Sequence, residues 1–145
     1  MRSFLMLAAL GFFLAGCASV PMADHAADTA AKKFKPSPGT AGLYIYRNEY
    51  RGGAVKMLVV VDGRSLGKTV PMSYLYTEVP PGRHIITADG GNTDQIKIEA
   101  IAGESIYVHQ AIKSGFSMAG SSMAKVSDTE GQAGVLECQM ISSQF

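Results

Sequence analysis

The sequence lacks tryptophan, contains only two cysteines and has no large surplus of charge of either sign. Thirteen basic and twelve acidic residues give a formal net charge of +1, and 17% of the residues are charged. Nucleic-acid-binding proteins usually carry a basic surplus or a basic stripe, so no nucleic-acid partner is expected. The 145 residues, 47% of them hydrophobic, suffice for the core of one ordinary domain.

No hydrophobic run is long enough to cross a membrane. The N-terminal apolar run, residues 3–16, carries no charge but is shorter than the ~20 residues that a spanning helix needs. A cation at Arg2, a short apolar run and a small-residue stop are the three parts of a secretory signal peptide. A buried core helix is the alternative, but the run has no amphipathic face and no cap. The pattern predicts a signal peptide over residues 1–16.

The signal peptide ends in Leu14-Ala15-Gly16-Cys17, which resembles the lipobox of bacterial lipoproteins. The resemblance implies cleavage between Gly16 and Cys17, a diacylglycerol on the Cys17 sulfur and a further acyl chain on its amino group. No other cofactor is expected. Ala18 stands where an aspartate favours the inner membrane in similar enterobacterial lipoproteins. The resemblance therefore implies a bacterial envelope protein, lipid-anchored in the outer membrane and facing the periplasm.

The second cysteine, Cys138, has no partner in the chain if Cys17 carries lipid. Leu136, Cys138 and Met140 alternate, which predicts a last strand that buries the thiol as a small apolar side chain. A redox-active or intermolecular thiol is the alternative in an oxidising compartment.

Residues 17–41 and 42–145 differ in pattern. The first segment has no sustained apolar face, is rich in alanine and ends in Pro36-Ser37-Pro38-Gly39, which predicts a flexible lipidated tether. From residue 42 onward, short runs of period two alternate with turn residues, which predicts a β domain over residues 42–145. Seven candidate strands lie at 42–47, 55–62, 65–70, 74–79, 83–89, 95–100 and 104–110.

The turns between these runs specify hairpins. Asp62-Gly63 fits a type I′ turn, and Pro81-Gly82 fits the central positions of a type II turn. Ser127 and Glu130 form a capping box that predicts one short C-terminal helix, weakened by Gly131 and Gly134. Gly120, Ser121 and Ser122 are interpreted as a flexible turn. The fold class is mainly β: a small antiparallel β-sandwich, or open barrel, with about seven or eight strands.

Four segments carry a family resemblance: GLYIYR, VVVDGRSLG, the tyrosine-bearing strand before EVPPGRHII, and AGESIYV. Over about residues 41–141 they are similar to the bacterial lipoprotein family catalogued as domain of unknown function 2846. The hairpin motifs also resemble the small Ig-like β-sandwich repeats named for their PEGA sequence. The resemblance implies the sandwich and the envelope address, and it implies no catalytic residue.

The residues do not predict an enzyme. His25, His84 and His109 are not spaced as metal ligands, although His84 and His109 with Asp89 or Glu104 could meet after folding. Ser117 lies in a segment that superficially resembles a nucleophile elbow, but the second glycine and the strand–helix order are missing. No catalytic or metal-binding residue is predicted.

Alternation predicts that five of the six tyrosines lie on the side of their strands that faces away from the core. Tyrosine is enriched at interfaces and on sugar-binding platforms, so these rings form a candidate binding face for an envelope protein or for peptidoglycan. Coverage of the rings by the C-terminal helix or by residues 111–126 is the alternative. The hairpin tips at 62–64 and 80–83 are further candidate surfaces. The candidate binding face consists of Tyr44, Tyr46, Tyr74, Tyr76, Tyr107 and His109.

Overall fold

The computed structural model describes residues 20–51, 55–113 and 120–145. Within these ranges the chain forms two helices and nine strands. The helices are α1 (His25–Ala31) and α2 (Asp128–Leu136). The strands are β1 (Ala41–Arg47), β2 (Met57–Val61), β3 (Arg64–Thr69), β4 (Ser73–Val79), β5 (Gly82–Asp89), β6 (Thr93–Ala100), β7 (Ser105–Lys113), β8 (Gly120–Val126) and β9 (Gln139–Met140).

The described strands form two sheets. The first sheet has the order β8-β7-β1-β4-β9, and the second has the order β3-β2-β5-β6. Most pairs are antiparallel, but β1 runs parallel to β7 and β4 runs parallel to β9. The mainly β, sandwich-like class with a short C-terminal helix is therefore confirmed, with two parallel pairings that the sequence pattern did not predict.

The main core lies between the two sheets and is aliphatic. Leu43 and Ile45 of β1, Val59 of β2, Ile86 of β5 and Val108 of β7 are all fully buried in it. Each of these side chains alternates with one that points to the opposite face of its sheet. Every residue of β1 is buried, because β1 lies in a middle layer with the second sheet on one side and the helices on the other.

The predicted Asp62-Gly63 hairpin turn is confirmed, but Pro81-Gly82 does not close a hairpin, because β4 and β5 lie in different sheets. Asp62 and Gly63 have φ values of 49° and 81°, the left-handed values of a type I′ turn, and they join Val61 directly to its partner Arg64. Gly82 has a φ of 127° at the crossing from the first sheet to the second, where a side chain would strain the backbone. Ser127 accepts a hydrogen bond from the Glu130 amide and caps α2.

The predicted tether is wrong for residues 20–41, because this segment is docked on the first sheet. Asp24 caps α1, and Ala31 at its end is buried against the sheet. Phe34 packs its ring 5.5 Å from that of Tyr44, between ring centroids. The Glu78 carboxylate accepts hydrogen bonds from the Ser37 amide and hydroxyl and from the Thr40 hydroxyl. The sequence did not predict this docking, because the segment has no apolar stripe. A few individual contacts hold it on the sheet.

Two local predictions need correction at the C-terminal end. Residues 120–122 do not form a turn but begin β8, which pairs antiparallel with β7. Leu136, Cys138 and Met140 do not share a strand face, because Leu136 ends α2 and is 58% exposed whereas Cys138 is buried in the turn before β9. In the described part of the chain, neither helix is long and apolar enough to span a bilayer.

Candidate functional site

The tyrosines of the candidate binding face form a second core. Tyr44, Tyr46, Tyr74 and Tyr107 point away from the inter-sheet core, as alternation predicts, but each is at most 2% exposed. They pack with Ala31, Val135 and Cys138 between the first sheet and the two helices. The prediction of an exposed tyrosine face is therefore wrong for these four rings, which α1, α2 and Phe34 cover.

Two glycines let α2 lie directly on the rings. A Cβ atom at Gly131 would stand 2.1 Å from Cγ of Tyr107, and one at Gly134 would stand 2.2 Å from Cε2 of Tyr46. Real Cβ atoms do not approach other atoms so closely, so only glycine fits. The two glycines lower the helix propensity of α2, but they also allow it to pack closely on the tyrosine rings.

Two hydroxyl groups of this second core have defined partners. Tyr44 donates to the Ala31 carbonyl at 2.7 Å, and Tyr74 donates to Oδ1 of Asp28 at 2.8 Å. Burial raises the pKa of both phenols, and it raises that of Tyr46 to about 12. The Tyr107 hydroxyl is buried without a hydrogen bond. Burial raises the pKa of this phenol, although the Gln132 and Ser105 side chains oppose that effect.

Tyr76 and His109 are the half-buried members of the predicted face. The Tyr76 hydroxyl donates to Oε1 of Glu78 at 3.0 Å, and its ring lies 4.6 Å from that of Tyr44. The His109 ring lies 5.1 Å from the Tyr46 ring. None of the six rings of the predicted face is exposed, so the pair of exposed rings on which a sugar could stack is missing from it.

His84 joins the Asp62-Gly63 hairpin tip to the connection between β4 and β5. We call these two segments the tips. Nδ1 lies 2.6 Å from Oδ2 of Asp62, and Nε2 lies 2.7 Å from the Pro80 carbonyl oxygen. The second Asp62 oxygen accepts a hydrogen bond from the Ile85 amide. Burial acts to lower the pKa of His84, but the Asp62 carboxylate and the Pro80 carbonyl outweigh it and raise the pKa. Because two acceptors face the two ring nitrogens, this site favours the imidazolium and serves to fix the tips.

Arg47 is a fully buried cation that organises the loop after β1. It donates from Nη1 to the Val55 carbonyl and from Nη2 to the Arg51 carbonyl, both at 2.8 Å. Burial lowers its pKa, although the nearby Glu49 carboxylate opposes that effect. Glu49 in turn accepts a hydrogen bond from the Ile112 amide at 2.6 Å. Both charged side chains therefore form hydrogen bonds with backbone groups.

The histidines that the sequence analysis weighed as metal ligands do not come together in the described ranges. His84 lies on β5 of the second sheet, whereas His109 lies on β7 of the first. No group of three or more potential His, Cys, Asp or Glu ligands comes together among the described residues. Gly16, Cys17 and Ser117 lie outside the described residues.

Cys138 is a buried free thiol, as predicted, although not on a strand. It is 2% exposed, and its sulfur lies 3.7 Å from the Arg47 carbonyl oxygen. Burial raises the pKa of the thiol to about 12. Since the thiolate is the reactive form, this environment opposes the redox alternative.

An apolar patch that contains the exposed Ile85 lies on the outer face of the second sheet. Val59, Val61 and Ile86 point inward, so Leu58 and Val60 of β2 and Ile85 and Thr87 of β5 point outward. Ile85 is 40% exposed, and Leu58 and Val60 are half-buried. We call Leu58, Val60, Ile85 and Thr87 the open face. The run VKMLVVVD has apolar residues at both its inward and its outward positions. The sequence therefore indicates an apolar outer face here, although the run alone predicts only a central strand.

Charged and polar side chains surround the open face. Lys97 stands opposite Ile85, and Lys68 and Asp89 flank Leu58 on either side. The exposed Arg83 and Glu99 form an ion pair of 3.4 Å at one end. An apolar centre with a polar rim is the usual layout of a protein interface.

Parts of two sheet edges are covered by groups of the chain itself. Asn92 accepts a hydrogen bond from the Ser121 amide, and Asp94 accepts one from the Met123 amide at 2.6 Å, so the second sheet caps the edge strand β8. At the other side, the Gln144 amide donates to the Leu66 carbonyl at 2.9 Å and covers part of β3. These contacts block strand addition at the capped positions.

Comparisons with known proteins give one family and one relative. The model of the family described as "Protein of unknown function (DUF2846)" matches residues 37–122, from the turn before β1 into β8. An uncharacterized protein of Haemophilus influenzae is 31% identical over 134 residues, which are 90% of this chain and 79% of the relative. No solved structure matches.

Proposed function

The chain belongs to the DUF2846 family of proteins of unknown function, and we propose that it is a lipid-anchored, non-enzymatic protein-interaction module of the bacterial envelope. Its N-terminus supports the address: Arg2, an uncharged apolar run and Leu14-Ala15-Gly16-Cys17. Ala18 after the cysteine supports the outer membrane, with the domain in the periplasm. Acyl chains on Cys17 hold the protein, because each buried methylene adds about 0.8 kcal/mol and one chain alone binds only marginally.

Lipid labelling tests the address. Cells that express the chain are fed radiolabelled palmitate, and we expect label in the native protein and none in the Cys17→Ser variant. Cys138→Ser is the matched control, because its thiol is buried, and it should be labelled like the native protein. Unlabelled native protein, or label that persists in Cys17→Ser, contradicts the anchor.

The open face is the surface with which the protein is proposed to bind its partner. The outer face of the first sheet is covered by helices, whereas Leu58, Val60 and Ile85 stay at the surface of the second. Aliphatic side chains with a charged rim suit a protein surface, whereas sugar binding depends on aromatic stacking, and the tyrosines are buried. The capped edges favour a folded partner that docks face to face over a peptide that adds a strand.

The non-enzymatic character of the proposal is supported by how the reactive groups are used. Both ring nitrogens of His84 are held by protein acceptors, and the Cys138 thiol is buried with a raised pKa. The described residues offer no group of metal-ligating side chains. These side chains stabilise the fold.

Site-directed cross-linking tests the interaction. A photoreactive amino acid replaces Ile85 in the membrane-anchored protein, and the same amino acid replaces Leu136 as the control. Both positions are exposed, but Leu136 lies on α2, on the other side of the first sheet. We expect one dominant protein adduct from position 85 and none from position 136.

A second variant checks that the captured protein binds at the open face. Val60→Lys places a charge in its centre without touching the inter-sheet core, so the fold persists while co-purification of the captured protein is lost. The same adduct at both positions, a glycan adduct, or co-purification that survives Val60→Lys contradicts the proposal.

A further inference from the structure

The chain joins the sandwich very close to the cysteine of the predicted anchor. Val20 packs against the main core, and the Pro21 carbonyl accepts a hydrogen bond from the Ser142 amide at 2.9 Å. The Ala23 amide donates to the Met140 carbonyl, and Met22 pairs with Ile141 in a β-bridge. The N-terminal segment is thus held as an added strand beside the last residues of the chain.

Only Ala18 and Ser19 separate Cys17 from Val20. Consecutive Cα atoms are 3.8 Å apart, so the Cα of Cys17 lies at most ~11 Å from that of Val20. A lipid on Cys17 therefore leaves the domain little freedom to move away from the bilayer or to turn over. The edge of the sandwich beside Val20 is the edge that must face the headgroups.

This edge has the composition of a membrane-facing surface. Val20, Lys56 and Lys68 line a shallow cavity of about 190 Å³. Arg64, at the start of β3, has its guanidinium carbon 4.2 Å from the ring centroid of Phe145, which is 38% exposed. Basic side chains beside an exposed aromatic ring match the charge and the apolar boundary of an anionic bilayer surface.

The opposite edge of the sandwich differs in charge. Strand β3 contributes Arg64 and Lys68 and no acidic residue. Strand β6, at the opposite edge of the second sheet, contributes Asp94 and Glu99 against one cation, Lys97. Docking by the β3 edge therefore brings the basic side of the second sheet to the membrane and keeps the acidic side away.

We propose that the edge formed by Val20, Lys56, Arg64, Lys68 and Phe145 is a docking surface for the anionic phospholipid headgroups of the membrane that holds the Cys17 lipid. The proposal rests on the lipidation proposed above. With β3 at the membrane and β6 away from it, the open face stands upright on the bilayer and is reachable from the side. A partner in the same membrane or in the periplasm can then reach it.

Lysine reactivity measures this orientation. The lipidated protein is bound to vesicles of phosphatidylethanolamine and phosphatidylglycerol and treated with a water-soluble amine-reactive reagent, and each lysine is quantified by mass spectrometry. Relative to the unlipidated Cys17→Ser protein in solution, we expect Lys68 to react about fivefold more slowly on vesicles. Lys97 and Lys125, exposed on β6 and β8, should react equally in both states.

Two variants separate docking from anchoring. A flexible insertion of about twelve Gly and Ser residues before Val20 lets the domain leave the surface, and Lys68 should regain its reactivity while the protein stays bound. Arg64→Glu should have the same effect, because it reverses a charge at the edge.

The mass of the protein reports lipidation independently of the lysine pattern. A lipidated, vesicle-bound protein whose Lys68 reacts as fast as in the unlipidated protein overturns the docking surface and leaves the anchor intact. A protein that carries no lipid overturns both proposals.

Discussion

At the scale of single residues, His84 couples the Asp62-Gly63 hairpin tip to the connection between β4 and β5 through its protonation state. Its imidazolium donates to Asp62 on one side and to Pro80 on the other. The pKa of Asp62 is lowered, because the hydrogen bonds from His84 and from the Ile85 amide outweigh the effect of burial. The Asp62–His84 pair therefore stabilises the fold most where the carboxylate is ionised and the imidazole is protonated.

The stability of the protein should fall with rising pH because of His84. Its folded pKa is above the ordinary value, so its contribution is complete below about pH 6.5 and is lost as the pH rises through the folded pKa. Asp62 acts in the opposite direction, and its contribution is lost as the pH falls below about 4. The test is the free energy of unfolding by urea, measured for the native chain and for His84→Gln from about pH 4 to about pH 9.

The difference between the two chains should be largest near pH 5.5 and should shrink at higher pH. His25→Gln is the control, because His25 is exposed on α1 and makes no contact with the tips. A difference between the native chain and His84→Gln that is constant over this range would show that His84 acts only through packing.

At the scale of elements, helix α2 depends on contacts that its own sequence does not favour. Glycine in a helix interior normally costs about 1 kcal/mol relative to alanine. Gly131 and Gly134 nevertheless occupy the positions that touch Tyr107 and Tyr46, where a methyl group has no room. The helix is therefore stabilised by docking and capping at the expense of propensity.

Gly134→Ala should reverse the usual effect of this substitution. We expect a loss of about 1–3 kcal/mol, because the clash with the Tyr46 ring exceeds the gain in helix propensity. The measurement is the urea midpoint. Ala133→Gly, at an exposed position one residue earlier, is the control and should cost about 1 kcal/mol through propensity alone. A more stable Gly134→Ala chain would show that α2 does not lie on the rings.

The elements themselves were predictable to different degrees. The strands from β1 to β7 could be located because their apolar residues alternate with period two, and the Asp62-Gly63 turn fixes one register directly. Strand β8 was missed because its sequence, GSSMAKV, is mostly small and polar. Its position depends on β7 and on the side chains of Asn92 and Asp94, which are far away in sequence.

At the scale of the whole molecule, three layers explain why the candidate binding face was misassigned. Alternation gives the side of the sheet on which Tyr44 and Tyr107 stand, but it does not tell what covers that side. The cover comes from both ends of the described chain: α1 and Phe34 before β1, and α2 after β8. Neither helix has an apolar stripe, because alanine and glycine make the close contacts. The outer face of the second sheet could be identified as the uncovered one only after the helices had been located on the first sheet.

The N-terminal segment should consequently be required for stability. We compare the chain that starts at Val20 with a chain that starts at Pro36, both without signal peptide and lipid. The shorter chain loses α1 and Phe34, so the Tyr44 and Tyr74 rings become exposed. The expected loss is several kcal/mol out of the about 5–15 kcal/mol that usually stabilise a domain. The measurements are the melting temperature and the binding of a dye that fluoresces on exposed apolar surface.

A pair of point variants keeps the chain length constant and tests the same docking. Phe34→Ala removes a ring that lies within 6 Å of two tyrosine rings and should cost about 2–4 kcal/mol. Lys33→Ala, at the exposed position before it, should change stability by less than about 0.5 kcal/mol. A flexible tether predicts the opposite result: truncation and Phe34→Ala would then leave the unfolding transition unchanged, and the domain would hang freely from its lipid. A large loss in both experiments means that the segment linking anchor to sandwich is itself a structural layer, and such a layer holds the domain at a fixed distance from its anchor.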